Sequence, residues 1–158
     1  MGGNLGNPLD TFQSARRNLS KHPQCDLIAS SMLYQTPPIG PEGQEDYLNA
    51  VMYMHTSLAP LALLDLLQSI ENSHGRIRKE HWGARTLDLD LIGFDDDTRH
   101  DERLTLPHSQ MHLRQFVLQP LCDISPTWLH PQLNLTAAQL LQQCIEQGEK
   151  PLSKGSHW

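Results

Sequence analysis

The sequence predicts an α+β fold in which helices pack against an antiparallel or mixed sheet. The first observation is the order of the periodic segments along the chain, which is helix, strand, strand, helix and strand. The second is size, since 158 residues with 38% hydrophobic side chains suit one domain around one core. We therefore expect a single domain over residues 1–158.

Two helices are predicted in the first half of the chain. The first covers residues 7–22, where Asn7 can cap it, Pro8 suits its first turn, and apolar residues then recur at helical spacing. The second begins at Pro60, carries a stripe of leucines and isoleucine, and ends at Gly75.

Two further helices are predicted in the second half. One covers residues 111–122, after a proline. The last is amphipathic and covers residues 136–147, with Asn134 or Thr136 near its N-terminal cap and Gly148 at its end. These are the extra helices of the predicted fold.

Three strands are predicted, over residues 26–35, 47–56 and 86–94. One more strand before the first helix would complete the βαββαβ order of a ferredoxin-like fold. The sequence before residue 7 is too short to supply it. We therefore expect a ferredoxin-like α/β sandwich of βαββαβ type, with extra helices and without the usual first strand.

The composition excludes several classes of protein. Eighteen acidic against 12 basic residues give a formal net charge of −6, whereas a general nucleic-acid binder normally carries a basic excess. No apolar run approaches the roughly 20 residues that a membrane helix needs, and the N-terminus lacks a secretory pattern. Three widely separated cysteines indicate reduced thiols. We expect a cytoplasmic protein with no nucleic acid or membrane among its partners.

The strongest local signal is the segment 85–91 (RTLDLDL). Because side chains alternate between the faces of a strand, Asp88 and Asp90 should share one face while three leucines face the core. Two carboxylates about 7 Å apart on one face repel each other unless a cation lies between them, and Mg²⁺ bound to phosphate suits that position. The alternative is a solvated face with two ordinary surface aspartates.

A basic loop precedes these aspartates. Residues 76–85 hold four basic side chains against one acidic one, although the chain as a whole is acidic. Arginine and lysine beside a carboxylate pair suit a polyphosphate whose oxygens also bind a metal. Trp82 is unusual in a polar loop, and a lid that lays the indole over a planar ligand would explain it. The alternative is a solvated basic turn.

A third cluster combines the loop 36–41 (TPPIGP) with Tyr47 and Asn49. The last two residues share one face of the predicted strand. An aromatic ring beside a carboxamide can stack on a flat heterocycle and read the donors and acceptors along its edge. The alternative is a tyrosine and an asparagine at the solvated end of a strand.

Taken together, these segments resemble the 6-hydroxymethyl-7,8-dihydropterin pyrophosphokinases, the folate-pathway family that transfers pyrophosphate from ATP to a pterin alcohol. The likeness runs from Gly3 to about Pro126. Its most specific parts are residues 82–90 (WGARTLDLD) and the segment 107–121, which contains Pro107-His108, Arg114 and the run FVLQPL.

The resemblance implies two Mg²⁺ ions, held by Asp88 and Asp90, with ATP as co-substrate. It implies that Arg76 and Arg85 act in catalysis together with these two aspartates. The implied pterin-binding residues are Thr36, Pro38, Tyr47, Asn49, Trp82 and Phe116. The implied nucleotide-binding residues are Glu71, Arg76, Arg78, Arg85, Leu91, Arg103, Thr105, His108 and Arg114.

The resemblance also implies the reaction and the partners. The pterin hydroxyl would attack the β-phosphorus in line and release AMP. We expect ATP and a hydroxymethyl-dihydropterin as the partners of a monomer. Two alternatives stay open. One is a non-catalytic ferredoxin-like binding module, and the other is a different Mg²⁺-dependent phosphotransferase, which would release ADP in place of AMP.

Overall fold

The computed structural model describes residues 1–38, 43–75, 86–149, 152–153 and 155–158. Within these ranges the helices are α1 Pro8–Ser20, α2 Pro60–Ser73, α3 Gln115–Ile124 and α4 Ala137–Glu146, and a 3₁₀ turn covers Met111–Leu113. The strands are β1 Gly2–Gly3, β2 Cys25–Ser30, β3 Tyr34–Thr36, β4 Tyr47–Asn49, β5 Met52–Thr56, β6 Arg99–His100 and β7 Thr105–Leu106. This mixture of helices and small antiparallel sheets is an α+β fold.

Three of the four predicted helices are confirmed with small shifts at their ends. The Asn7 side chain accepts from the backbone of the first turn of α1, as its position predicts. Helix α2 begins at Pro60, and Gly75 follows it with a φ of +76°, a value that favours glycine. Thr136 is the N-cap of α4.

The predicted helix over residues 111–122 is wrong at its start. Arg114 has an extended backbone, with φ −123° and ψ 104°, and it separates the 3₁₀ turn from α3. The apolar spacing runs through both pieces, so periodicity alone does not reveal the break. Arg114 and Phe116 therefore lie where the chain passes from the 3₁₀ turn into α3.

The two predicted strands over 26–35 and 47–56 each divide into two shorter strands. Strands β1, β4 and β3 form one antiparallel sheet in that order, while β2 pairs with β5 in another. Between the sheets, Ser31 exchanges hydrogen bonds with Val51 through its backbone N–H and its hydroxyl. The chain thus changes sheets at both positions.

The predicted strand over 86–94 is replaced by extended chain with one isolated bridge. Asp88 pairs with Gly2 through two backbone hydrogen bonds of 2.8 and 2.9 Å. The next N–H group, on Leu89, donates to the Glu71 carboxylate at 2.6 Å. It is therefore not available for a hydrogen bond to a neighbouring strand. Further along, the Ile92 carbonyl accepts from His108 N–H at 2.8 Å.

A short strand does precede α1, contrary to the expectation that none would. Gly2 and Gly3 pair with Asn49 and Leu48 of β4, and Gly2 also pairs with Asp88. A Cβ at Gly3 would lie 2.7 Å from the Thr86 carbonyl oxygen, so only glycine fits between these segments.

Two clusters of buried apolar side chains replace the single core that size predicted. The first lies between α1, α2 and the segment that carries Leu87 and Leu89. The second lies between α3, α4 and the 3₁₀ turn. Ala50 belongs to the first and Val51 to the second, because neighbouring side chains of extended chain point to opposite sides. Within the described ranges, no helix is long and apolar enough to cross a membrane.

Candidate active site

A cavity of about 410 Å³ opens between β1, β3, β4 and the 3₁₀ turn that leads into α3. Its volume is in the range of small-molecule sites. Eight of the residues that the sequence singled out line it: Thr36, Tyr47, Asn49, Asp88, Asp90, His108, Arg114 and Phe116. Segments from four different parts of the chain therefore meet at one site.

The two aspartates enter the cavity from the extended segment that follows residue 86. Leu87 and Leu89 are buried in the first core, Asp88 is half-buried and Asp90 is exposed. The leucines and aspartates therefore alternate between buried and more exposed positions as predicted, although this segment does not form the predicted strand. The bridge to Gly2 and the hydrogen bond from Leu89 N–H to Glu71 both hold the backbone here.

The strand wall of the cavity carries a fixed polar pair. Asn49 is buried, and its Nδ2 donates to the hydroxyl oxygen of Thr36 at 2.8 Å. The β3–β4 register places Thr36 opposite Tyr47, so all three side chains come from one short ladder. Because one amide hydrogen is committed to Thr36, the second amide hydrogen and the carbonyl oxygen of Asn49 remain to read the edge of a ligand.

A second wall of the cavity, from the 3₁₀ turn and the start of α3, is cationic and aromatic. The Arg114 guanidinium carbon lies 5.7 Å from the centroid of the Phe116 ring. This distance is within the range of a cation–π contact. His108 is tied to the segment of the aspartates, because its N–H donates to Ile92 at 2.8 Å. An aromatic ring and a guanidinium thus line the same cavity as the residues of the strand wall.

The two carboxylates offer the hard oxygen ligands that Mg²⁺ takes. Among the residues that the structure describes, no group of three or more His, Cys, Asp or Glu side chains could hold a metal ion. A pair of carboxylates is what a Mg²⁺ ion needs when substrate phosphates supply its other ligands. The donor set therefore fits a metal that enters together with a polyphosphate.

Several residues implied for the nucleotide lie away from this cavity. Leu91 lines a second, neighbouring cavity of about 560 Å³, beside β5. Glu71 is buried, and its carboxylate accepts a hydrogen bond from the backbone N–H of Leu89. Arg103 donates to Asp65 at the surface.

Two other implied residues, Pro38 and Thr105, are also not among the residues that line this cavity. The Thr105 hydroxyl lies 3.0 Å from His100 Nδ1, across the β6–β7 hairpin. Pro37, and not Pro38, contributes to the lining of the first cavity. Arg76, Arg78, Trp82 and Arg85 lie outside the described residues, so their roles stay predictions.

The sequence did not point to some residues that line the site. Gly2 lies against Asn49, where an added Cβ would be 3.4 Å from Oδ1, and a sequence that predicts no first strand gives no reason to place it in the site. Ser109 and Gln110 also line the cavity. Their position directly after His108, in a polar stretch before a helix, is the feature of the sequence that indicates them.

One protein family matches most of this chain. The family model described as 7,8-dihydro-6-hydroxymethylpterin-pyrophosphokinase (HPPK) matches residues 1–126. That range includes every described residue that lines the cavity. The last helix, α4, lies beyond the match.

Individual relatives agree with the family model. The 2-amino-4-hydroxy-6-hydroxymethyldihydropteridine pyrophosphokinase of Haemophilus influenzae is 40% identical over 147 residues, which are 93% of this chain and 89% of that protein. The protein of the same name from Synechocystis is 43% identical over 90% of this chain and 73% of its own length. That from Pseudomonas aeruginosa is 44% identical over 80% of this chain and 78% of its own.

Proposed function

Since the chain belongs to the 7,8-dihydro-6-hydroxymethylpterin-pyrophosphokinase family, we propose that the cavity of about 410 Å³ is where it transfers pyrophosphate from ATP to 6-hydroxymethyl-7,8-dihydropterin in folate biosynthesis. The observation that carries this proposal is the meeting of two kinds of wall in one cavity. Asp88 and Asp90 suit a metal-bound polyphosphate, and the Thr36–Asn49 pair suits the edge of a flat heterocycle.

The pterin lies between the two walls of the cavity. Asn49, held by Thr36, reads the hydrogen-bonding edge of the ring, and Phe116 supplies a face against which the ring stacks. Tyr47 adds a second aromatic side chain. Pro38 and Trp82 also belong to the proposed pterin-binding residues, and their support is the sequence alone.

The triphosphate lies toward the aspartates. Asp88 and Asp90 would hold the two Mg²⁺ ions, and Arg114 and His108 contact phosphate oxygens from the other side. Mg²⁺ held by these carboxylates would supply positive charge that offsets the charge of the phosphate oxygens. Arg76, Arg78, Arg85, Leu91, Arg103, Thr105 and Glu71 belong to the nucleotide side on the basis of the sequence.

In the reaction, the hydroxymethyl oxygen of the pterin attacks the β-phosphorus of ATP in line. A bond forms between that oxygen and the β-phosphorus, and the bond from the β-phosphorus to the oxygen shared with the α-phosphorus breaks. AMP leaves with that shared oxygen, and the hydroxyl proton is released. The chain contributes mainly by orienting both substrates and by excluding water, because phosphoryl transfer needs no covalent bond between the protein and the substrates.

We also propose that the chain acts as a cytoplasmic monomer and as one domain over residues 1–158. The ferredoxin-like arrangement belongs to the same proposal. Its support is the order of β1, α1, the strands β2–β5 and α2, followed by the extended segment that pairs with Gly2.

Replacement of the aspartates tests the proposed site. We expect Asp88→Asn and Asp90→Asn each to lower the rate of AMP formation by about 100-fold or more, because a neutral amide is a poor ligand for Mg²⁺. The assay is chromatography of the nucleotides released from ATP, with the pterin alcohol and a Mg²⁺ titration.

Asp26→Asn is the matched control, since Asp26 is an exposed carboxylate on β2, outside the lining of the cavity. Its rate should stay within twofold of the wild type. Full activity in either cavity variant would contradict the proposed metal ligands. Release of ADP by the wild type would favour the alternative of a different phosphotransferase.

A further inference from the structure

A hydrogen bond behind the cavity joins its two walls. Tyr34 on β3 is buried, and its hydroxyl donates to the carboxylate oxygens of Asp123 on α3, at 2.8 and 3.0 Å. The same carboxylate accepts from the Met32 backbone N–H at 3.0 Å. Neither Tyr34 nor Asp123 is among the described residues that line the cavity.

The elements joined by this bond are those that carry the proposed pterin contacts. Tyr34 and Thr36 are two residues apart on β3, so their side chains share a face of the strand. Phe116 and Asp123 are seven residues apart on α3, which is two helical turns or about 10 Å along the axis, so they share a face of the helix. The hydrogen bond between Tyr34 and Asp123 therefore fixes the distance between β3 and α3, and with it the separation of Thr36 and Phe116.

The hydrogen bond between Tyr34 and Asp123 should persist throughout the neutral pH range. Burial, followed by the hydrogen bond to Asp123, raises the pKa of Tyr34 to about 12, so the hydroxyl is a donor throughout the neutral range. A hydroxyl donating to a carboxylate makes a stronger hydrogen bond than one donating to a neutral acceptor. Helix α3 is thus held to β3 independently of any ligand.

The segment of the aspartates is held by different contacts. Gly2 pairs with Asp88, and Glu71 accepts from Leu89 N–H. Neither contact involves β3 or α3. A change in the separation of β3 and α3 should therefore affect the binding of the pterin more than that of the metal and the triphosphate, although Arg114, which borders α3, contacts the triphosphate in the same proposal.

We propose that Tyr34 and Asp123 are positioning residues which set the width of the slot between Phe116 and the strand wall, and through it the selectivity for a flat heterocycle. This inference rests on the proposed placement of the pterin. It assigns a role in substrate binding to two residues that touch neither substrate.

Four variants test the inference. Tyr34→Phe removes only the hydroxyl, and Asp123→Leu removes the acceptor while the tyrosine ring keeps its packing. Asp123→Asn keeps an acceptor for the hydroxyl and is the conservative rescue. Tyr53→Phe is the matched control, because it makes the same chemical change at an exposed tyrosine on β5.

The measurements are the dissociation constants of a non-hydrolysable ATP analogue, with Mg²⁺, and of the pterin alcohol in the presence of that analogue. We expect Tyr34→Phe and Asp123→Leu to raise the pterin constant by roughly fivefold, the equivalent of one lost hydrogen bond. The constant for the ATP analogue should stay within twofold. Asp123→Asn and Tyr53→Phe should leave both constants within twofold of the wild type.

Equal weakening of both ligands, or unchanged pterin binding in Tyr34→Phe, would overturn the inference, because either result leaves the pair a purely structural contact. A wild-type protein that binds the ATP analogue but no pterin would overturn the proposed placement of the pterin, and the inference with it. Thermal unfolding midpoints of all variants accompany the binding data.

Discussion

At the scale of single residues, two buried polar side chains have structural roles that their sequence positions do not indicate. The Glu71 carboxylate accepts from Leu89 N–H and so holds the backbone between the two aspartates. His130 is 3% exposed, and its Nδ1 accepts from the N–H groups of Gln132 and Leu133, at 3.3 Å each. Because protonation of Nδ1 would remove this acceptor, the turn requires the neutral ring.

We expect acid to destabilise the fold through His130. Burial, and then the neighbouring His112, lower the pKa of His130 in the folded protein. The unfolded chain takes up the proton near pH 6.5, whereas the folded chain takes it up only at lower pH. The contribution of this ring to the free energy of unfolding is therefore complete above pH 6.5 and is lost as the pH falls below it.

Urea unfolding at pH 7.5 and pH 5 measures the effect. His130→Asn keeps a side-chain acceptor close to the position of Nδ1 but does not titrate. The wild type should lose more free energy of unfolding between the two pH values than this variant loses. An equal loss in both proteins would show that His130 does not contribute to the acid sensitivity.

At the scale of secondary structure elements, the sequence left two residues open as caps of the last helix, and the structure selects one. Thr136 accepts from Gln139 N–H at 3.2 Å, and the Gln139 side chain accepts from Thr136 N–H at 2.8 Å, which makes a capping box. Asn134 lies earlier, in a turn with a φ of +54°, and its N–H donates to His130. Both residues suit their positions, but only Thr136 caps α4.

Removal of this cap should destabilise the protein. We expect Thr136→Ala to lower the free energy of unfolding by about 1 kcal/mol, the usual cost of an N-cap hydroxyl. Thr136→Ser retains the hydroxyl and should stay within about 0.5 kcal/mol of the wild type. Chemical denaturation distinguishes the two, and equal stability of both variants would mean that the capping box contributes nothing.

At the scale of the whole molecule, residues far apart in the chain complete the first core. The Trp158 ring packs edge-on against Phe12, with 6.0 Å between centroids, and the Arg16 guanidinium lies 5.3 Å from its centroid. The indole N–H donates to the Ser31 carbonyl oxygen at 2.8 Å. The residues 155–158 therefore help to hold α1 to the chain between β2 and β3.

We expect Trp158→Ala to lower the free energy of unfolding by about 2 kcal/mol, through lost apolar burial and the lost aromatic contact. His157→Ala is the control, since His157 is exposed and adjacent, and its effect should be within about 0.5 kcal/mol. Denaturant unfolding followed by circular dichroism measures both. Equal stability of the two variants would contradict a role of the indole in the core.

The sequence was sufficient for features that depend on residues close together in the chain. Helix spacing and caps predicted α1, α2 and α4, because each turn is decided by neighbours within four residues. The alternation of leucine and aspartate predicted that Asp88 and Asp90 face away from the core. The sequence was less reliable for strands. The divisions between β2 and β3 and between β4 and β5 depend on contacts between distant residues, such as that of Ser31 with Val51.

By itself, then, the sequence determined the α+β class, the aspartate pair and, through an ordered series of motifs, the family. Only the tertiary structure decided which of the implied residues meet. It joined Thr36 to Asn49 and Tyr34 to Asp123, residues that are 13 and 89 positions apart. The physical reason is that these hydrogen bonds require two distant segments to pack in one register, and no local propensity records that register.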